Sequence, residues 1–306
     1  MSQMKNLPAS IRQRLLNKAH GTNRPYNELL QYYAIERFLY RLSQSPYADK
    51  FILKGALMFL AWGASIYRPT RDIDLLGFTT NELDAVWGII QEVCEQKVEP
   101  DGLIFDTQTV QSERIREDAD YEGVRVNLSG YLGKAKIPLQ IDIGFADVVF
   151  PAPIVLEYPT LLRMPAPHLR GYPAESVVAE KLQALVFLGS VNSRMKDFYD
   201  LWILAEQFEF DGRKLQGAII HTFRQRNTAL PVETPTGLSD IFSVENQPQW
   251  QAFLHRTNIE TSPESFIDVI QILTPFLVTP LRASALGTTF EGEWKSGGPW
   301  RVLVGE

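Results

Sequence analysis

A chain of 306 residues with 45% hydrophobic and 22% charged residues has the size and composition of a soluble globular protein with two buried cores. The sequence contains no run of eighteen apolar residues and does not begin like a signal peptide. We therefore expect no transmembrane helix, no membrane partner and a cytoplasmic location. The single cysteine, Cys94, excludes internal disulfides and cysteine-based zinc sites.

The net charge of −6 argues against indiscriminate nucleic-acid binding, but the charge is unevenly distributed. Residues 1–50 contain eight Lys or Arg and three acids, a balance of +5, which leaves −11 for residues 51–306. A basic segment on an acidic body is suited to contact a polyanion such as RNA. A solvated helix face explains the same charges equally well.

The first half of the chain predicts an α+β fold, with a mixed sheet and helices on one face. Thr79 and Glu82 have the spacing of a capping box, which predicts a helix start there. The elements predicted from periodicity are helices 10–19 and 26–42, strand 51–53, helix 56–62, strand 72–76, helix 79–95 and strands 102–110, 124–132 and 137–145.

The second half of the chain predicts a helical domain. Six prolines across 151–173 indicate a connection between domains, and the Gly- and Trp-rich end suggests either a hairpin or a poorly ordered tail. Helices are predicted over 175–188, 192–208, 214–226, 249–255 and 264–277. The predicted divisions are basic helices 1–45, an α/β core 46–150, the connection 151–173, a helical domain 174–278 and a tail 279–306.

The most informative motif is Arg-Asp-Ile-Asp at residues 71–74. Side chains two apart on a strand share a face, so Asp72 and Asp74 point the same way. Two such carboxylates repel each other unless a cation lies between them, and Mg²⁺ binds oxygen ligands and substrate phosphates. The pair therefore predicts half of a metal–triphosphate site, with Arg68 and Arg71 placed to neutralise phosphate charge. Most Asp-x-Asp pairs are only solvated strand ends, so the case for a metal site here depends on the motifs elsewhere in the chain.

Three residues at a strand-to-helix turn, Lys54, Gly55 and Ala56, form a second motif. A glycine there lets backbone N–H groups approach a phosphate, and a helix N-terminus favours an anion. Any tight strand–helix turn also favours glycine, so this motif alone is weak.

A third carboxylate, Asp142, lies within an apolar strand, where an unpaired charge is costly. If this strand neighbours the Asp72 strand, Asp142 completes a three-carboxylate metal cluster and helps to deprotonate an attacking hydroxyl. The alternatives are that Asp142 pairs with an arginine such as Arg125 or lies at a sheet edge. Asp147 competes for the same role.

Two helices supply the last motif. Lys181 follows an apolar run and has the reach to contact a β- or γ-phosphate, unless it merely extends to solvent. Asp197 and Asp200, three apart on a helix, share a face. They position Lys181, orient a nucleotide, or only charge the helix start.

Taken together, these motifs resemble the AbiEii/AbiGii-type nucleotidyltransferase toxins of bacterial abortive-infection and toxin–antitoxin systems, within the polymerase-β-like superfamily. One departure is Gly55-Ala56, where the superfamily often has Gly-Gly or Gly-Ser; a hydroxyl is lost, but the Ala56 N–H is kept. The segments that carry the resemblance are 51–55 (Phe-Ile-Leu-Lys-Gly), 68–74 (Arg-Pro-Thr-Arg-Asp-Ile-Asp), 178–182 (Val-Ala-Glu-Lys-Leu) and 194–201 (Arg-Met-Lys-Asp-Phe-Tyr-Asp-Leu).

The resemblance implies a nucleotidyltransferase domain followed by a helical domain. It implies Mg²⁺- or Mn²⁺-dependent transfer of a nucleotide from an NTP to RNA, at the 3′ end of tRNA, with release of pyrophosphate. It further implies a role as a toxin in phage defence, opposed by a cognate antitoxin protein. Asp72, Asp74 and Asp142 would hold the metal, and Lys181 and Asp197 match the lysine and aspartate of the family's second domain.

Three other functions remain open from the sequence. The same fold without chemistry would be a module that binds nucleotide, RNA or a partner protein. The same site with a different acceptor would modify a protein side chain or a small molecule. A purely structural α/β protein would need all these motifs to coincide in order by chance.

Overall fold

The structure is a computed structural model that describes residues 6–65, 68–118, 121–257, 259 and 261–302. The helices are α1 Leu7–Thr22, α2 Tyr26–Gln44, α3 Leu57–Ala61, α4 Leu83–Glu95, α5 Ala174–Leu188, α6 Met195–Gln207, α7 Gly212–Gln225, α8 Asp240–Thr257 and α9 Phe266–Leu286. The strands are β1 Phe51–Lys54, β2 Asp72–Gly77, β3 Leu103–Asp118, β4 Tyr121–Leu132, β5 Ala135–Gly144, β6 Ile154–Glu157, β7 His168–Gly171, β8 Phe210–Asp211, β9 Gly292–Trp294 and β10 Trp300–Val302.

The chain divides into two compact units. Unit 1 comprises Met1–Gly63, Pro69–Ala146 and Ile154–Gly171, and unit 2 comprises Ala64–Arg68, Asp147–Pro153 and Tyr172–Glu306. The predicted α+β class is confirmed: unit 1 contains a mixed sheet flanked by helices, and unit 2 is mainly helical.

Within the described residues, seven strands form the sheet of unit 1 in the order β3-β4-β5-β2-β1-β7-β6. Strand β2 runs parallel to β5, and β1 runs parallel to β7, whereas the other neighbouring pairs are antiparallel. The apolar runs of β1, β2 and β5 explain their central positions, since strands covered on both sides need few polar residues. This order places the strand of Asp72 beside the strand of Asp142.

Helix α2 is a core element of unit 1, and two of its arginines are part of that core. Arg37 is 1% exposed and lies 2.8 Å from Glu36. Arg41 donates a hydrogen bond to each carboxylate oxygen of Asp101, at 2.7 and 3.1 Å. Buried arginines need such partners. The eight basic residues of 1–50 are therefore not one solvated face, and the exposed Arg12 on α1 is a better candidate for contact with a polyanion.

The proline-punctuated segment 151–173, predicted as a connection between domains, contains the short strands β6 and β7 at the edge of the sheet, where prolines are tolerated between strands. One local prediction in unit 1 is wrong: the capping box of Thr79 and Glu82 is not formed. Helix α4 begins only at Leu83, since Glu82 is still extended and its N–H donates to Thr80 Oγ1.

Unit 2 is built around α9, which continues beyond the predicted end at 277 to Leu286 and contains Pro275 and Pro280. The hydroxyl of Ser284 donates to the Pro280 carbonyl at 2.7 Å. By length and composition α9 is apolar enough to cross a membrane, but half of its apolar window is buried within the protein. Its buried side includes Phe266 and Phe276, which contact the aromatic residues of α6 and of the β9–β10 hairpin. It is thus the core helix of this unit.

The Gly- and Trp-rich end forms the hairpin that we considered for it. Strand β9 pairs with β10 and also with β8, and Trp294 lies opposite Trp300. The Trp294 indole N–H donates to the Ala205 carbonyl at 2.8 Å. The segment therefore belongs to the packed part of unit 2 up to residue 302.

Candidate active site

The strand register in unit 1 places a set of polar side chains on one face of the sheet. Asp74 lies opposite Asp142 in the parallel β2–β5 pair, and Asp72 lies opposite Gln140. Residues in register on neighbouring strands share a face. The residues between them, Ile73 and Ile141, are fully buried on the other face. Because apolar and acidic residues alternate along these strands, Asp72, Asp74 and Asp142 lie on the same face of the sheet.

The turn after β1 is fitted to Asp74. Gly55 has φ +71°, and a Cβ atom on it would lie 2.0 Å from Asp74 Oδ2. Lys54, one residue earlier, is buried and lies opposite Asp74 in the β1–β2 pair. The absent side chain of Gly55 thus makes room for a carboxylate, a reason for glycine that the sequence did not reveal.

The helix that follows this turn is too short to contribute much to the predicted phosphate site. Ala56 is the N-cap of α3, which has only five residues. A helix of this length has little macrodipole to offer an anion. Any phosphate contact here would depend on individual backbone N–H groups.

Asp142 is bound by Arg125, as one of our alternatives held. Arg125 lies opposite Asp142 on β4, and its Nε and Nη2 atoms each donate to a separate carboxylate oxygen at 2.8 Å. Gln140 adds a hydrogen bond to Oδ2 at 3.1 Å. The hydrogen bond to Asp142, together with the charges of Asp142 and Asp72, raises the pKa of Arg125, although burial opposes the shift.

The other acidic members of the set differ from Asp142 in exposure. Asp72 and Asp74 are half-buried, and Asp142 is 8% exposed. Arg71, just before β2, is exposed. Among the described residues, no group of three or more His, Cys, Asp or Glu side chains is placed to hold a metal ion. Asp72 and Asp74 are partly accessible to solvent. Both oxygens of Asp142 accept hydrogen bonds from Arg125.

The residues predicted on the two helices of unit 2 form an ion network. Lys181 Nζ lies 2.6 Å from Asp197 Oδ1 and 2.9 Å from Asp200 Oδ2. Burial by itself would lower the pKa of Lys181, but the charges of Asp197 and Asp200 raise it above its usual value. Lys181 is therefore kept as a cation. Its contacts with Asp197 and Asp200 correspond to the alternative in which these two aspartates position the lysine.

Asp200 is the centre of this network. Arg68 donates to both of its oxygens, from Nε at 2.9 Å and from Nη2 at 3.0 Å. The side chain is 1% exposed, yet the charges of Arg68 and Lys181 outweigh the effect of burial and lower the pKa of Asp200. The sequence analysis assigned Arg68, with Arg71, to neutralising phosphate charge, whereas in the structure its guanidinium binds Asp200. This pairing with a residue 132 positions later has no local signal in the sequence.

Asp147, the competitor of Asp142, belongs to a different ion pair. Arg226 Nη2 donates to its Oδ1 at 2.8 Å, and both residues lie in unit 2. Asp147 is thus not among the polar residues of the unit 1 sheet. Cys94 is buried as expected, and burial raises the pKa of its thiol to about 12.

An Asp-x-Asp strand beside a glycine turn, in a mixed sheet followed by a helical unit, is the arrangement expected of a nucleotidyltransferase. The sequence model described as "Nucleotidyl transferase AbiEii toxin, Type IV TA system" matches residues 37–272. Because this match covers more than half of the chain, the protein belongs to the AbiEii family of nucleotidyltransferase toxins of type IV toxin–antitoxin systems.

Two solved structures from Helicobacter pylori are similar in part. JHP933 is 14% identical, with a TM-score of 0.49, over 85% of this chain and 95% of that one. A protein assigned as a nucleotidyltransferase is 13% identical, with a TM-score of 0.44, over 85% of this chain and 96% of that one. No curated protein matches the sequence.

Proposed function

We propose that this nucleotidyltransferase transfers a nucleotide from an NTP to an RNA 3′-hydroxyl, with the 3′ end of tRNA as acceptor, and that a divalent cation is required. The observation that carries the proposal is the pair Asp72 and Asp74, half-buried on one face of β2 beside the Gly55 turn. The acceptor and a role in phage defence follow from the family resemblance.

Two of the acids of unit 1 fit a divalent cation better than the third. Asp72 and Asp74 fit, because both are accessible carboxylates and because Gly55 leaves the space that the Asp74 carboxylate occupies. They would hold Mg²⁺ or Mn²⁺. The cation, when bound, would offset the charge of the triphosphate and make the attacking hydroxyl more acidic. Asp142 fits less well, since Arg125 binds both of its oxygens.

The remaining roles belong to side chains and backbone of this chain. Nucleotidyl transfer depends mainly on positioning and on neutralising charge. In the proposal, Arg71 offsets triphosphate charge, and Lys54, Gly55 and Ala56 line the phosphate path. Lys181 is assigned to a phosphate contact from the family resemblance alone. Asp197 and Asp200 keep Lys181 charged and oriented through the contacts at 2.6 and 2.9 Å. A cognate antitoxin, implied by the family, would oppose this activity in the cell.

The experiment is a label-transfer assay with purified protein, Mg²⁺, total tRNA and each α-labelled NTP in turn. Asp72→Asn is the matched variant, because it removes a charge while keeping the size of the side chain. Periodate-oxidised tRNA, which lacks a usable 3′-hydroxyl, is the acceptor control. We expect label on intact tRNA only, and none with Asp72→Asn or with EDTA.

Other outcomes of this assay would overturn parts of the proposal. Label on oxidised tRNA would exclude the 3′ end as acceptor. Label on protein or on a small molecule would replace RNA as acceptor. Full activity of Asp72→Asn would remove this aspartate from the site.

A further inference from the structure

The ion pair between Arg125 and Asp142 has the geometry of an occupied cation site. The guanidinium fork meets both carboxylate oxygens at 2.8 Å, and Gln140 takes a further position on Oδ2 at 3.1 Å. A divalent cation would need the same lone pairs. Arginine does not lose its proton in proteins, so its charge cannot be removed to make way for a metal ion.

We propose that Arg125 takes the place of a second divalent cation, so that the site binds one such ion through Asp72 and Asp74 and none through Asp142. This inference rests on the proposed function and defines the composition of its metal site. Arg125 is a positioning residue: it keeps Asp142 away from the bound ion.

The strand register explains why a permanent charge is useful there. Asp142 lies directly opposite Asp74 on the neighbouring strand, and Arg125 lies opposite Asp142 on the next strand. An unneutralised Asp142 would repel Asp74 across the β2–β5 pair. Arg125 neutralises Asp142 from the other side and is also attracted by Asp72. Along this row, β2 supplies the carboxylate of Asp74, β5 the carboxylate of Asp142 and β4 the guanidinium of Arg125.

The accessibility of the pair makes the inference testable. The Arg125 side chain is 34% exposed and that of Asp142 is 12% exposed, so a hydrated cation has a route to Asp142 once Arg125 is replaced. If the ion pair were fully buried, a cation could not reach Asp142 whichever residue replaced Arg125.

The experiment is a titration of the protein with Mn²⁺ alone, in which free Mn²⁺ is followed by electron paramagnetic resonance. Four variants are compared with the wild type: Arg125→Gln, Asp142→Asn, Arg125→Gln/Asp142→Asn and Asp72→Asn. The double variant keeps the net charge of the pair and can still form an amide–amide hydrogen bond, so its effect is not one of long-range charge. Circular dichroism checks that each variant is folded.

We expect the wild type and the double variant to bind one Mn²⁺ with affinities that agree within about threefold. Arg125→Gln should bind Mn²⁺ at least about tenfold more tightly, or bind a second ion, because a buried carboxylate becomes available. Asp72→Asn should lose binding.

Two results would overturn the inference while leaving the proposed function intact. One is loss of Mn²⁺ binding in the double variant, which would make Asp142 a ligand in the wild type. The other is unchanged binding in Arg125→Gln, which would mean that Arg125 does not exclude the ion. If the wild type bound no Mn²⁺, or if Asp72→Asn bound it equally well, the metal site of the proposed function would fail and this inference with it.

Discussion

Gly55 and Asp74 are fitted to each other: a Cβ atom on Gly55 would lie 2.0 Å from Asp74 Oδ2 and 2.8 Å from Asp74 Cβ. The backbone of Gly55 also has φ +71°, which L-residues rarely adopt. Two separate physical reasons therefore require glycine at the turn between β1 and α3. One concerns the turn itself, and the other concerns the position of a predicted catalytic carboxylate.

We predict that Gly55→Ala displaces Asp74 and lowers nucleotide transfer by about 10²-fold, the usual scale for a misplacement of about 1 Å in an active site. Gly63→Ala is the matched control, since Gly63 has φ +75° but has no atom other than those of its chain neighbours within 4 Å of its Cβ position. It should cost about 1–2 kcal/mol of stability through backbone strain and leave transfer intact. Label transfer and urea unfolding of both variants test this, and equal losses of activity would contradict it.

A second prediction concerns Asp200, the carboxylate shared by Arg68 and Lys181. Asp200→Ala removes a charge that is 1% exposed from between two cations, which typically costs about 3–5 kcal/mol when a buried pair is broken. We expect the midpoint of urea unfolding to fall markedly. We also expect activity to be lost at urea concentrations where the wild type remains folded.

The control for Asp200 is an ion pair of the same unit that lies in solvent. Lys295 donates to Glu209 at 3.0 Å, with side chains 43% and 65% exposed. Exposed pairs contribute little to stability. Glu209→Ala should therefore leave the unfolding midpoint nearly unchanged. A shift as large as that of Asp200→Ala would show that burial is not what makes the Asp200 network stabilising.

The sequence predicts the central strands β1 and β2 well, because β1 is a short apolar run followed by Gly55 and because acids alternate with apolar residues at the start of β2. It does not predict β6 and β7, since four-residue edge strands between prolines carry too little periodicity to be recognised. It ends α9 too early, at 277, because Pro280 just beyond is a local helix breaker; in the structure the helix continues and packs the buried Leu281.

The sequence identifies the residues of the candidate site but does not show which of them contact one another. The spacing of Asp72 and Asp74 fixes their common face, since strand geometry is local. The pairing of Asp142 with Arg125 was one of several alternatives, and only the register of β4 against β5 selects it. The contact of Arg68 with Asp200 joins residues far apart in sequence, and no periodicity reports such a contact.

A third prediction follows from Glu36, which is 1% exposed on α2. Burial raises its pKa to about 7, although Arg37 and the N–H of Leu161 oppose the shift. The folded state thus holds a proton on Glu36 that the unfolded chain releases near pH 4.5. This contribution to stability is complete below about pH 4.5 and is lost as the pH rises towards 7, by at most about 1.4 kcal/mol per pH unit.

Glu36→Gln should remove that dependence, because glutamine does not titrate and keeps an acceptor for the Leu161 N–H, which lies 2.6 Å from Glu36 Oε2. The unfolding free energy of the variant minus that of the wild type should rise between pH 5 and 7 and level off above. Urea unfolding at pH 5, 6, 7 and 8 measures it. A flat difference for Glu36→Gln would contradict the assignment.

The last prediction concerns RNA and rests on the proposed function. Since Arg37 and Arg41 are buried, contact with the RNA backbone falls to basic residues such as Arg12 and Lys18 on α1, which are exposed and half-exposed. The slope of the logarithm of tRNA affinity against that of salt concentration should become shallower by about 1.5 in Arg12→Gln/Lys18→Gln, as two phosphate contacts are lost. Lys134→Gln/Lys136→Gln removes the same charge from the exposed β4–β5 turn and should change the slope much less. Equal changes in both variants would mean that the net charge, rather than α1, determines how the protein binds RNA.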